Sequence, residues 1–148
     1  MLKERLRSDL TTAMKARDAT RVATLRMALT AITTEEAAGT EHRELGDEEI
    51  TTVLGRETKK RRESAEAFDG AGRTELAERE RAEEAVLAEY LPTPLTDEEL
   101  ASVVSAAIAD TGAAGAKQMG AVMKVVQPQV AGRADGRRVS AEVKRQLG

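Results

Sequence analysis

A chain of 148 residues suits one compact domain or two small ones and can bury roughly 70% of the surface of its unfolded form. It carries no cysteine and only two aromatic residues, Phe68 and Tyr90, with a net charge of −3 at neutral pH. Disulfides, thiolate metal sites, cysteine nucleophiles and base-stacking modules are excluded. No apolar run is long enough for a membrane span or a signal peptide, so the expectation is a cytoplasmic protein with no membrane partner.

Apolar residues never alternate with polar ones over a usable run, which predicts an all-α fold packed with Leu, Val, Met and Ala. Leu2, Leu6, Leu10 and Met14 lay an apolar stripe on a first helix that stops near Arg17-Asp18, where Asp18 can cap the second. There Val22, Leu25, Leu29 and Ile32 follow three-four-three spacing until Ala37-Ala38-Gly39. After a polar loop to Gly46, Asp47 is read as the cap of a third helix carrying Ile50, Val53, Leu54, Ala65 and Phe68. A fourth is predicted from Thr74 to Tyr90, with Leu76, Leu87, Tyr90 and Leu91 on one side. Four helices with short loops predict an antiparallel four-helix unit.

Pro92 and Pro94 then forbid helix continuation and push Leu91 and Thr93 out of the α region, making a hinge between a unit of residues 1–92 and one of 93–148. Thr96 and Glu99 form a capping box that restarts helix. Leu100, Val103, Val104 and Ile108 carry it to Thr111-Gly112. Two more helices complete a smaller three-helix unit. One spans 116–130, with Pro128 expected to bend or fray its last turn; the other carries Val139, Val143 and Leu147.

Two sets of charges stand out. On the third helix Glu57 and Arg61 fall within the apolar stripe, and Glu80 and Glu83 do the same on the fourth. A structural ion network across the two helices explains this better than paired catalytic carboxylates, which here lack a nucleophile and a histidine. From Ala113 onward, seven cations (Lys117, Lys124, Arg133, Arg137, Arg138, Lys144 and Arg145) face two carboxylates, a net charge of +5 inside an acidic chain. Either this is a solvated helix face or a phosphate-binding surface. Arg137, Arg138 and Lys144 lie away from the apolar stripe of their helix, so all three are expected to be replaceable without loss of the fold.

Five segments resemble motifs of the YqeY family in order and spacing: Leu25-Arg-Met-Ala-Leu29, Val53-Leu-Gly-Arg-Glu57, Glu89-Tyr-Leu-Pro92, Met119-Gly-Ala-Val-Met-Lys124 and Gly132-Arg-Ala-Asp-Gly136. The resemblance covers essentially the whole chain and implies an all-helical protein of two subdomains. The second half of that family is similar to the carboxyl-terminal tail of the B subunit of tRNA-dependent amidotransferase, a tail held to contact tRNA. Met119-Gly120, Val122-Met123-Lys124 and Gly132-Arg133-Ala134 match that tail, whereas Asp135-Gly136 stands where the subunit typically has Asn-Pro.

What the resemblance implies is a tRNA-binding accessory module, with tRNA as partner and an amidotransferase or other translation complex as its setting. The seven cations are its candidate nucleic-acid contacts. Family proteins are also labelled carbon-nitrogen ligases with glutamine as amido donor, and that activity is the alternative, with a protein-interaction module as a third. The residues offer no catalytic, metal or cofactor site for the ligase chemistry. There is no Ser-Ser amidase stretch and no Gly-x-x-x-x-Gly-Lys loop, and the single histidine, His42, is read as a surface-loop residue.

Overall fold

A computed structural model describes residues 1–130 and 132–148 of the chain. It is all-helical: α1 (Leu2–Lys15), α2 (Ala19–Glu36), α3 (Asp47–Gly70), α4 (Thr74–Ala88), α5 (Asp97–Thr111), α6 (Met119–Val130) and α7 (Gly136–Leu147). A single 3-10 turn, Ala116–Gln118, precedes α6, and the described residues contain no strand. No helix is long and apolar enough to cross a membrane among the described residues. Residue contacts divide the chain into Met1–Leu91 and Pro92–Gly148, and each unit has its own core.

In the first unit α3 packs along α4 and α1 along α2, around Leu6, Leu25, Ile32, Leu54 and Leu87. The Asp18 side chain caps α2 by accepting from the Arg21 amide at 3.1 Å. Two local readings shift. Met14 is half exposed while Ala13 is buried, because a repeat of four drifts by about 40° per step on a helix of 3.6 residues per turn. Three such steps turn Met14 out, and Ala13, seven residues from Leu6, falls back onto the buried face. Asp47 is the first residue of α3, not its cap: its carboxylate accepts the Leu2 amide at 3.0 Å, and Gly46 donates its own amide to Glu49 at 3.4 Å.

One carboxylate that periodicity did not single out fastens the polar loop. Glu36, buried at the end of α2, accepts Lys3 Nζ at 2.8 Å and the Leu45 amide at 3.0 Å. These two donors, the lysine first, hold its carboxyl below the ordinary value of 4.5. At the far end of α4, Tyr90 donates its hydroxyl to Asp9, Arg5 stacks 4.6 Å from the ring centroid, and Arg21 reaches Glu89 at 2.8 Å. These contacts tie the turn after α4 to α1 and α2; α4 itself closes at Ala88, two residues earlier than its pattern predicts.

The inward charges do form a network. Arg61 on α3 lies 3.5 Å from Glu57, 3.8 Å from Glu80 and 3.3 Å from Glu83, and one guanidinium nitrogen also meets Met27 Sδ on α2. Lys60 supports Glu57 from the solvent side at 3.0 Å. Three carboxylates share one partly buried guanidinium, and the fit is incomplete: Arg61 Nε and Glu80 Oε2 are buried without a hydrogen bond among the described residues. Burial, and then the neighbouring Glu80, push the Glu83 carboxyl above its ordinary value of 4.5.

Breaking such a network by Arg61→Ala strands its carboxylates and should destabilise the chain by about 3 kcal/mol in denaturant unfolding. The two displaced carboxyls predict opposite pH effects. Glu83, raised in the fold, contributes stability that is complete below 4.5 and lost as pH rises through its raised value. Glu83→Gln should therefore hold or raise the melting temperature at pH 7, with the gain vanishing in acid. Glu36, lowered in the fold, contributes stability that is present above 4.5 and lost as pH falls through its lowered value. Glu36→Gln should lower the melting temperature at pH 7, and its deficit should shrink in acid. Thermal melts of both variants from about pH 3 to 7 check the two signs.

Candidate nucleic-acid interface

The second unit begins with an extended segment whose polar groups need partners. Pro92 and Pro94 carry no amide hydrogen and hold 91–95 out of helix. Leu95 nevertheless enters the core beside Leu100, Val104, Val126 and Val139. The turn before α7 supplies what the segment lacks: Leu95 donates its amide to the Arg133 carbonyl at 2.8 Å. Arg133 Nε donates to the Thr93 carbonyl and Arg138 Nη2 to the Leu95 carbonyl, each at 2.9 Å.

Local chemistry positions the helices that carry the cations. Thr96 and Glu99 make the capping box of α5 in both directions, each bond 3.1 Å. Gly112 ends that helix at φ 67°, a conformation glycine adopts without steric cost. The helical stretch expected from Ala116 starts as the 3-10 turn, and α6 proper runs from Met119 to the buried Val130 with Pro128 inside it. Its missing amide leaves the Lys124 carbonyl without the usual helical donor. Asp135, noted in the sequence only as a departure from Asn-Pro, is the cap of α7, accepting the Arg138 amide at 2.8 Å. An Asp followed by Gly and then the Arg-Arg-Val start of an amphipathic run was the available signal.

The seven candidate cations separate into two groups. Arg138 pairs with Asp97 at 3.0 Å, Arg133 approaches Glu99 at 3.9 Å, and Arg145 chelates Glu142 through bonds of 2.9 and 2.6 Å. Arg145 and then Gln146, through their hydrogen bonds, hold the Glu142 carboxyl below its ordinary value. Lys117, Lys124, Arg137 and Lys144 are exposed and have no carboxylate within ion-pair distance among the described residues. Arg137 and Lys144 stand seven residues apart on one face of α7, about 10 Å along its axis. Lys117 and Lys124 have the same spacing across the 3-10 turn and α6.

Each of these four unpaired cations is open to an external anion, whereas Arg133 and Arg138 already serve the fold. The expectation that Arg137, Arg138 and Lys144 are equally dispensable for folding is therefore corrected at Arg138. The model of the YqeY family, described as Yqey-like protein, matches residues 3–147. No curated protein matches the chain.

Removing the brace and the cap has predictable effects. Arg138→Ala leaves the Leu95 carbonyl without its side-chain donor and should cost about 1 kcal/mol. Asp135→Ala removes the cap of α7 and should cost about 0.5–2 kcal/mol. Arg137→Ala, with nothing to lose, should stay within about 0.5 kcal/mol of the parent chain. Equilibrium unfolding in urea orders the three; an Arg138→Ala curve that overlays that of Arg137→Ala would refute the bracing role.

Proposed function

Because this chain belongs to the YqeY family of Yqey-like proteins, we propose that its carboxyl-terminal unit is a tRNA-binding module acting as an accessory to tRNA-dependent amidation rather than as its catalyst. The observation that carries this reading is the set of four exposed, unpaired cations, Lys117, Lys124, Arg137 and Lys144, within the last quarter of the chain, which is net +5 in a protein of net −3. The resemblance of this region to the tail of the amidotransferase B subunit supports tRNA over other polyanions. Arg133, Arg138 and Arg145 lie in the same stretch of the chain but are already engaged with Glu99, Asp97 and Glu142.

Both aromatic residues of the chain, Phe68 and Tyr90, belong to the first unit, so the second has no aromatic side chain on which a base can stack. Contacts are then to phosphate and ribose, and selectivity follows the shape of a folded RNA rather than its sequence. A ligase reading requires ammonia to be released from glutamine with turnover. A glutaminase assay of the pure protein, alone and with tRNA, distinguishes it from binding.

With about four phosphates neutralised, the logarithm of the tRNA association constant should fall with log salt at a slope of about −3 to −4. Replacing Lys117, Lys124, Arg137 and Lys144 together by Glu should lower affinity more than tenfold at about 100 mM salt while the melt is unchanged. Glu at Lys15 and Arg17, two exposed cations of the first unit, should have little effect. Equal affinity of the two charge-reversed variants, or no binding by the parent chain at low salt, defeats the reading.

A further inference from the structure

The second unit is far less basic than its last two helices. Pro92–Gly148 holds seven cations against six carboxylates, net +1, because Asp97, Glu98, Glu99 and Asp110 lie on α5. Three of these fill the first turn of α5, where the helix dipole favours negative charge. Two of them reach across to the cations: Asp97 to Arg138 at 3.0 Å and Glu99 to Arg133 at 3.9 Å.

The Asp97 contact is built to be exchanged. Its side chain is 95% exposed, whereas Arg138 is one-third exposed. The same Arg138 nitrogen, Nη2, also donates to the Leu95 carbonyl at 2.9 Å, so the guanidinium stays anchored when its anion changes. A phosphate oxygen can take the position of Asp97 Oδ1 without the arginine leaving the backbone it braces. Glu98 lies in the same turn, exposed and without an ion pair among the described residues.

We infer that the first turn of α5 is an autoinhibitory contact, in which Asp97 occupies Arg138 as an internal counter-anion until a phosphate of the bound RNA displaces it. This rests on the RNA reading above. A tethered carboxylate sets a threshold: isolated anions compete poorly with it, while a polyanion already held by Lys117, Lys124, Arg137 and Lys144 presents its phosphate at high local concentration. Displacement adds one phosphate contact to those four.

The test compares Asp97→Asn with Glu98→Gln, which removes the same charge from the same turn, using the full chain and tRNA titrated between about 50 and 200 mM salt. Asp97→Asn should raise affinity by about 1.5- to 5-fold, the range that an exposed ion pair represents. Glu98→Gln should raise it less. The salt slope of Asp97→Asn at low salt should be flatter than that of the parent only if Arg138 fails to reach RNA; an unchanged or steeper slope is the expected result. Asp97→Glu should restore parental affinity, and Asp97→Asn should lose no more folding stability than an exposed ion pair contributes. Equal gains in Asp97→Asn and Glu98→Gln would reduce the effect to net charge and overturn the inference, as would no gain or a loss in Asp97→Asn. In those cases RNA binding by the parent chain still stands; if no form binds at about 50 mM salt, the RNA reading falls and takes this inference with it.

Discussion

An extended backbone cannot enter a helical core unless its amides and carbonyls find partners, and the second unit depends on meeting that requirement at Thr93 and Leu95. Helical residues satisfy their own polar groups; the segment held open by Pro92 and Pro94 does not. The turn before α7 meets the need from 40 residues away in sequence, with the Arg133 carbonyl receiving the Leu95 amide and the Arg133 and Arg138 guanidiniums capping the two carbonyls. Leu95 is thereby fixed against Val126 and Val139, and α5 can start immediately afterwards at its Thr96 cap. The same pairings set which cations remain available at the surface.

Signals confined to a few neighbouring residues were legible in the sequence. The Thr96–Glu99 box, the Asp18 cap, the Gly112 stop and the apolar stripes of α2, α5 and α7 are all local, and the structure places them as their spacing predicts. Boundaries moved where a neighbour could also take the cap backbone conformation, as when Gly46 took the cap position beside Asp47. Met14 moved for a geometric reason, since a four-residue repeat cannot stay on one face. The separation of Arg133, Arg138 and Arg145 from Lys117, Lys124, Arg137 and Lys144 was only partly legible. Arg145 and Glu142 are three apart on one helix and could be paired by spacing. Nothing near Arg138 in sequence points to Asp97 or to the Leu95 carbonyl, because that partnership exists only once α5 and α7 are packed.

The two units use buried or half-buried arginine for different ends. Arg61 is surrounded by side-chain carboxylates in excess of its charge, which leaves Glu83 displaced toward its neutral form. Arg133 and Arg138 face backbone carbonyls first and carboxylates second, so their charge is only partly compensated by the groups that orient them. A guanidinium suits the second task because its planar fork can bond a carbonyl and still present nitrogens to an anion. Lysine at 138 would offer a point charge without that fixed fork.

Charge distribution limits how RNA affinity can arise in this chain. The first unit holds 16 cations against 20 carboxylates and the second seven against six, so the overall field of −3 does not draw a polyanion in. Steering of the kind that strongly basic proteins exert is absent at long range. Attraction must then come from cations within about a Debye length of the phosphates, about 8–10 Å at ordinary salt. Across that distance an unpaired Lys144 or Arg137 outweighs a distant carboxylate, whereas Arg145, closed against Glu142 at 2.6 Å, presents the field of a dipole rather than of a charge. Affinity at this surface is therefore governed less by the number of cations in α6 and α7 than by which of them the fold has left without an internal anion.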